Sequence, residues 1–161
     1  MSTRLLVVGV GNPMRGDDGV PHRVIELLAG QAGLELVVSE RFVPELAEAV
    51  GKHARVVMVD ADVRTGVVRL EPAGESAGAT APGHWLGPVH VIDLARRLYG
   101  FSGEAWLCRV PARDFSLEGR LSAAGERAAR EASGLIIDRA LPGCDDDQIP
   151  PDAQPRQRAC G

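Results

Sequence analysis

Lysine is nearly missing from this chain: Lys52 is the only one, and arginine carries the rest of the positive charge. With the abundant alanine and glycine this reads as compositional bias, and no function is drawn from it. A net charge of −4 and arginines scattered along the chain offer no basic stripe for a phosphate backbone, which argues against a nucleic-acid partner. Cysteine is scarce too. Cys108, Cys144 and Cys160 are odd in number and far apart, which excludes a disulfide scaffold and the close pairs of a zinc site and fits a reducing compartment. No apolar run nears the length of a membrane span, and Met1-Ser-Thr-Arg4 leads into only a short apolar stretch before Gly9, with no cleavage-site pattern. The expectation is a soluble, cytoplasmic, single-domain protein, since 161 residues at 45% hydrophobic and 25% charged can bury a core.

What the chain does have is an alternation of strand and helix patterns. Leu5-Leu-Val-Val8 is a continuous aliphatic run ended by Gly9, as expected for a strand covered on both faces. A loop follows to Gly19, then a helix from Val20 to about Ala29 with Val20, Val24, Leu27 and Leu28 at helical spacing and Pro21 in its first turn. Leu34 to Val38 reads as a strand, Pro44 to Val50 as a helix ended by His53, and Arg55 to Val59 as a strand ending at Asp60. Beyond the Arg64-Thr-Gly66 turn, Val67 to Leu70 reads as a short antiparallel strand by hairpin logic. Glu71 to Gly87 is a long Gly, Ala, Ser and Pro-rich loop. Val89 to Leu98 predicts a helix stopped by Gly100, Ala105 to Val110 a last strand, and Ser122 the N-cap of a terminal helix reaching about Leu141. The order predicts an α/β fold over residues 1–141: a mostly parallel twisted sheet of about five strands, one of them antiparallel, with helices on both faces. Residues 142–161, with Asp145-Asp-Asp147 and few apolar side chains, are expected to form a disordered tail.

In an open parallel sheet the ligand crevice lies beyond the carboxyl ends of the strands. Gly9-Val-Gly-Asn-Pro-Met-Arg-Gly-Asp-Asp-Gly19 places two adjacent carboxylates after the first strand, Asp60 closes the third, and His90 opens the helix after the long loop. Gly9 and Gly11 lack the third glycine of a dinucleotide fingerprint, and Asp17 and Asp18 would repel a phosphate. Two carboxylates and an imidazole are instead a mixed oxygen and nitrogen set suited to a divalent transition ion. Each also has an ordinary reading. Asp17 or Asp18 can cap the helix at Val20, Asp60 can belong to a turn, and His90 can be a partly buried surface histidine. His84, in the long loop, competes with His90, which a helix start would hold more firmly. Without a G-x-S-x-G elbow or a cysteine at a strand-to-helix turn, covalent catalysis is disfavoured.

The stretch Leu6 to Gly19 resembles the opening signature of the nickel–iron hydrogenase maturation endopeptidases: a hydrophobic strand, Gly-x-Gly-Asn, a short linker, an acidic pair and glycine. The resemblance extends through Val56-Val-Met-Val-Asp-Ala61, through His90 before its leucine-bearing helix, and through Val43-Pro-Glu-Leu-Ala-Glu48 and Val110-Pro-Ala-Arg-Asp-Phe115, so it covers about Arg4 to Leu141. It implies that Asp18, Asp60 and His90 are the metal-binding and catalytic trio, with Asp17 supporting the loop and Gly11 and Asn12 shaping it. It further implies a monomer that trims the C-terminal extension of a nickel-loaded hydrogenase large-subunit precursor, the nickel being supplied by that substrate, with no resident organic cofactor. The chain departs from many relatives in Gly87-Pro-Val-His90, where they carry Ser or Thr before the histidine, and in Ser39-Glu-Arg-Phe42, where they are glycine-rich. Two other readings fit the same residues: a self-contained metal-dependent amidohydrolase, and a nickel-checkpoint chaperone that binds the precursor without cutting it.

Overall fold

A computed structural model describes residues 2–74 and 86–141. Its core strand is the aliphatic run itself. In β1 (Ser2–Val10), Leu5 to Val8 are wholly buried, and the hydrophobic and polar residues do not alternate because helices cover both faces. Around it stand β2 (Leu34–Ser39), β3 (His53–Asp62), β4 (Arg69–Pro72) and β5 (Glu104–Pro111), in the sheet order β2-β1-β3-β5-β4. β1, β2, β3 and β5 are parallel, and β4 is antiparallel to β5.

Helix α1 (Val20–Leu28) and helix α4 (Ala123–Leu135) share one face of the sheet, where Val24, Leu28, Ala129 and Ala132 meet Leu5 and Val7. Helices α2 (Leu46–Gly51) and α3 (Pro88–Tyr99) take the other, packing Val50, Ile92 and Ala95 on Leu6, Val8 and Met58. Crossing from β2 to β3 therefore carries the chain to the far side of β1, and the crevice opens where the strand order reverses, between the carboxyl ends of β1 and β3. Among the described residues no helix is long and apolar enough to cross a membrane.

The predicted stops hold where a specific atom enforces them. Gly100 ends α3 in the left-handed region at φ 66°, and Ser122 caps α4 by accepting the Gly125 N–H on its Oγ at 3.0 Å. Four expectations need correction. β3 runs on to Asp62, since β5 offers pairing partners as far as Pro111, so Asp60 lies within the strand and not at its end. β4 pairs with β5 and not with β3, because β5 has already taken the second edge of β3. α4 gives way at Ile136 to a wider π-helical turn, Ile136–Ala140. His53 opens β3, buried between the Ala49 carbonyl at 2.8 Å and Glu35 Oε2 at 3.0 Å, and does not end a helix. The expected long loop and tail lie mostly outside the described residues, as do His84, Cys144 and Cys160.

Candidate functional site

The loop after β1 is built around one buried carboxylate. Gly16–Gly19 forms a single 3₁₀ turn, with Gly16 at φ 54°, and Asp17 turns inward. Its Oδ2 accepts the N–H groups of Arg113 at 3.1 Å and Asp114 at 3.0 Å and the Ser122 hydroxyl at 2.9 Å, while Oδ1 accepts the Ser122 N–H at 2.9 Å. Burial alone would raise the Asp17 pKa; the N–H groups of Asp114, Ser122 and Arg113 and the Ser122 hydroxyl outweigh it and hold the carboxyl below the usual range. Neither aspartate caps α1, whose N-cap is Gly19 with no side-chain bond. The capping reading of the acidic pair is therefore replaced by a bolt between the first loop and the start of α4.

Asp18 faces the other way, half-buried, with its Oδ2 accepting the Asn12 N–H at 2.9 Å. Asn12 Oδ1 in turn accepts the Met14 N–H at 2.9 Å within the loop. Gly11 is required there: a Cβ would run into the Asp18 carbonyl.

Asp18, Asp60 and His90 all line one crevice of about 1330 Å³. Burial first, then the negative charges of Asp18 and Asp62, push the Asp60 pKa up to about 6, against the Ala61 N–H and Arg109. A proton-accepting group with such a pKa is suited to general-base work near neutral pH. His90 sits in the first turn of α3, where its Nδ1 accepts the Gly87 N–H at 3.1 Å. That bond places the proton of the neutral ring on Nε2, so both the capping role and the crevice position belong to the same side chain. Among the described residues, no group of three or more His, Cys, Asp or Glu side chains is gathered closely enough to hold a metal ion by itself. The trio shares a crevice without forming a closed chelate.

Sequence reasoning missed Asp62 and Arg109. Asp62 lies on the same strand face as Asp60, two residues on, a periodicity hidden when the strand is ended too early. It accepts the Arg64 N–H at 2.8 Å, the Arg64 Nε–H at 3.2 Å and an Arg109 Nη1–H at 3.3 Å. Although burial would raise it, these donors keep the Asp62 carboxyl below the usual range. Arg109, directly across from Asp60 on β5, also brings its Nε to 3.1 Å from Glu71 Oε1, close enough for an ion pair but out of line for a hydrogen bond. Cys108, at the crevice, is wholly buried with its thiol pushed up to about 12 by desolvation, which keeps it from serving as a nucleophile.

No family model and no curated protein matches this sequence. Solved structures do match. The hydrogenase maturating endopeptidase HybD from Escherichia coli superimposes with a TM-score of 0.68 at 19% identity, over 84% of this chain and 90% of that one. The nickel–iron hydrogenase maturation protease HybD from Thermococcus kodakarensis gives 0.68 at 21% identity, over 85% and 99%. HycI, a further maturation protease from Thermococcus kodakarensis, gives 0.65 at 22%, over 84% and 91%. The α/β sheet described above thus has the fold of these solved hydrogenase maturation endopeptidases.

Proposed function

We propose that this protein is a cytoplasmic endopeptidase, acting as a monomer, that removes the C-terminal extension of a nickel-loaded hydrogenase large-subunit precursor. The observation that carries the reading is the meeting of Asp18, Asp60 and His90 in one crevice at the sheet's switch point, on a fold shared with maturation endopeptidases. In this reading the nickel belongs to the substrate. Asp18, Asp60 and the Nε2 of His90 complete the surroundings of an ion that the precursor already holds, which suits three donors that do not close on each other unaided.

Each residue then has a distinct task. Asp18, fixed by the Asn12 N–H, offers its remaining lone pairs to the cargo ion. Asp60, half-buried beside two other carboxylates, either meets the ion or takes a proton from the attacking water. For Nε2 of His90 to donate a lone pair its proton must move to Nδ1, and the Gly87 N–H must then be released or the ring must turn. Engagement of the substrate is thereby coupled to the first turn of α3.

The test is single replacement of Asp18, Asp60 and His90 by Ala, followed by the electrophoretic shift of a matching nickel-loaded precursor. Unchanged processing by Asp18→Ala or Asp60→Ala refutes the proposal. A His84→Ala variant that loses processing while His90→Ala keeps it assigns the histidine role to the long loop instead.

A further inference from the structure

The arginines that look scattered in the sequence are gathered in space. Arg15, Arg41 and Arg64 each follow the carboxyl end of one of three adjacent parallel strands, β1, β2 and β3, and all three line the crevice with exposed side chains. Their backbones are pinned. The Arg15 carbonyl accepts the Asp18 N–H at 3.1 Å, the Arg41 carbonyl accepts the Ser39 hydroxyl at 2.7 Å, and the Arg64 N–H donates to Asp62 at 2.8 Å. The heads of Arg15 and Arg41 have no ion pair with any described residue, and Arg64, held to Asp62 through its Nε at 3.2 Å, still keeps 80% of its side chain in solvent. Arg41 and Arg64 each have an apolar neighbour in sequence that lines the same crevice, Phe42 and Val63, the latter 68% exposed.

The crevice thus carries both signs of charge: Asp18, Asp60 and Asp62 are partly or wholly buried, with Arg109 paired to Asp62 among them, whereas Arg15, Arg41 and Arg64 are exposed, Glu40 being the exposed acid that interrupts them. A phosphate chain would meet repulsion from the three aspartates, whereas a peptide can present cationic cargo to them and acidic side chains to the exposed arginines. We infer that the Arg15, Arg41 and Arg64 collar docks an acidic, apolar-containing segment of the protein substrate. The inference rests on the proposed function only in taking the crevice as the substrate's seat. Held by long-range attraction and flanking apolar contact, such a segment is captured before its cleavage point is engaged.

Fluorescence anisotropy tests it with two labelled peptides, one alternating glutamate with leucine and one alternating lysine with leucine. The full chain is expected to bind the glutamate peptide at least about tenfold more tightly, with the difference shrinking as salt rises from about 0.05 to about 0.5 M. The double variant Arg15→Glu, Arg41→Glu should lose that preference, and Arg15→Gln, Arg41→Gln should reduce it. Arg127→Glu, Arg130→Glu, which changes net charge equally on the exposed side of α4, should keep it. Equal binding of the two peptides, binding of neither, an unaltered preference in the Arg15 and Arg41 variants, or displacement of the glutamate peptide by single-stranded DNA overturns the inference. Binding is read without cleavage. A chain that binds the glutamate peptide but never shortens the precursor loses the proteolytic reading alone, and one that processes the precursor yet ignores peptide charge loses the collar alone.

Discussion

Replacing Asp60 by Asn should stabilise the protein at neutral pH while abolishing processing. The folded chain raises this carboxyl from 3.8 to about 6. A shift of roughly two units, at about 1.36 kcal/mol each, corresponds to about 3 kcal/mol. The sign follows from proton counts. Between pH 3.8 and about 6 the folded protein holds a proton that the unfolded chain has released, so stability contributed by this group falls as pH rises through that window. Asparagine has the shape of the protonated acid, keeps an acceptor for the Ala61 N–H, and removes one of three crowded negative charges. Urea unfolding followed by circular dichroism should find the two proteins about equally stable near pH 3.5. The Asn variant should then gain steadily, to about 3 kcal/mol by pH 7.5. A difference that stays constant with pH, or a variant less stable than the parent at pH 7.5, would refute the claim that crowding and burial destabilise the ionised Asp60. A stabilised and inactive variant would show a site kept under electrostatic strain for its chemistry.

Asp17→Ala should destabilise by about 3 to 5 kcal/mol, because it strips the acceptor from three backbone N–H groups and a hydroxyl. Since the Asp17 pKa is depressed, the stability it contributes is present above the ordinary carboxylate range and is lost as pH falls through its folded pKa; acid-unfolding curves of the parent and Asp17→Asn should converge at the acid end. Gly125→Ala should be as damaging as a core deletion in a thermal melt, because its Cβ would run into Asp17 Oδ1 at the same junction. Cys108→Ala should leave precursor processing intact, and mass spectrometry after brief alkylation of the native protein should find Cys108 unmodified; rapid labelling would contradict a buried thiol.

The parts of the fold that could be read in the sequence are those decided locally. The unbroken aliphatic run of β1 announces a strand covered on both sides, and Gly100 and Ser122 act within a turn of their own position. What could not be read depends on distant partners. β4 is a strand by its residues, but its neighbour is decided by β5, which comes into the chain some thirty residues later and takes the edge of β3. The same pairing lengthens β3 and turns Asp62 from a loop residue into a crevice wall. For the site, the positions after the strands pointed to the pair Asp17 and Asp18, to Asp60 and to His90, and of these Asp18, Asp60 and His90 line one crevice. Which member of the acidic pair faces the crevice could not be read from local pattern, because a cap is the cheap guess for an aspartate before a helix. Asp17 instead serves backbone groups as far as 105 residues downstream. Likewise, charge counted along the chain hid the three arginines that the strand ends collect.

That long reach of Asp17 sets an order of events during synthesis. The loop bearing Asp18 is made well before the donors that lock it, which lie 96 to 105 residues downstream of Asp17 at Arg113, Asp114 and Ser122. A nascent chain lacking its last strand and helix has an acidic pair without its anchor, and domains complete their packing as units once the distal elements emerge. The anchor of this loop thus exists only once the chain has been made through Ser122, so a fragment that stops short of it carries the signature residues in sequence without the donors that hold Asp17.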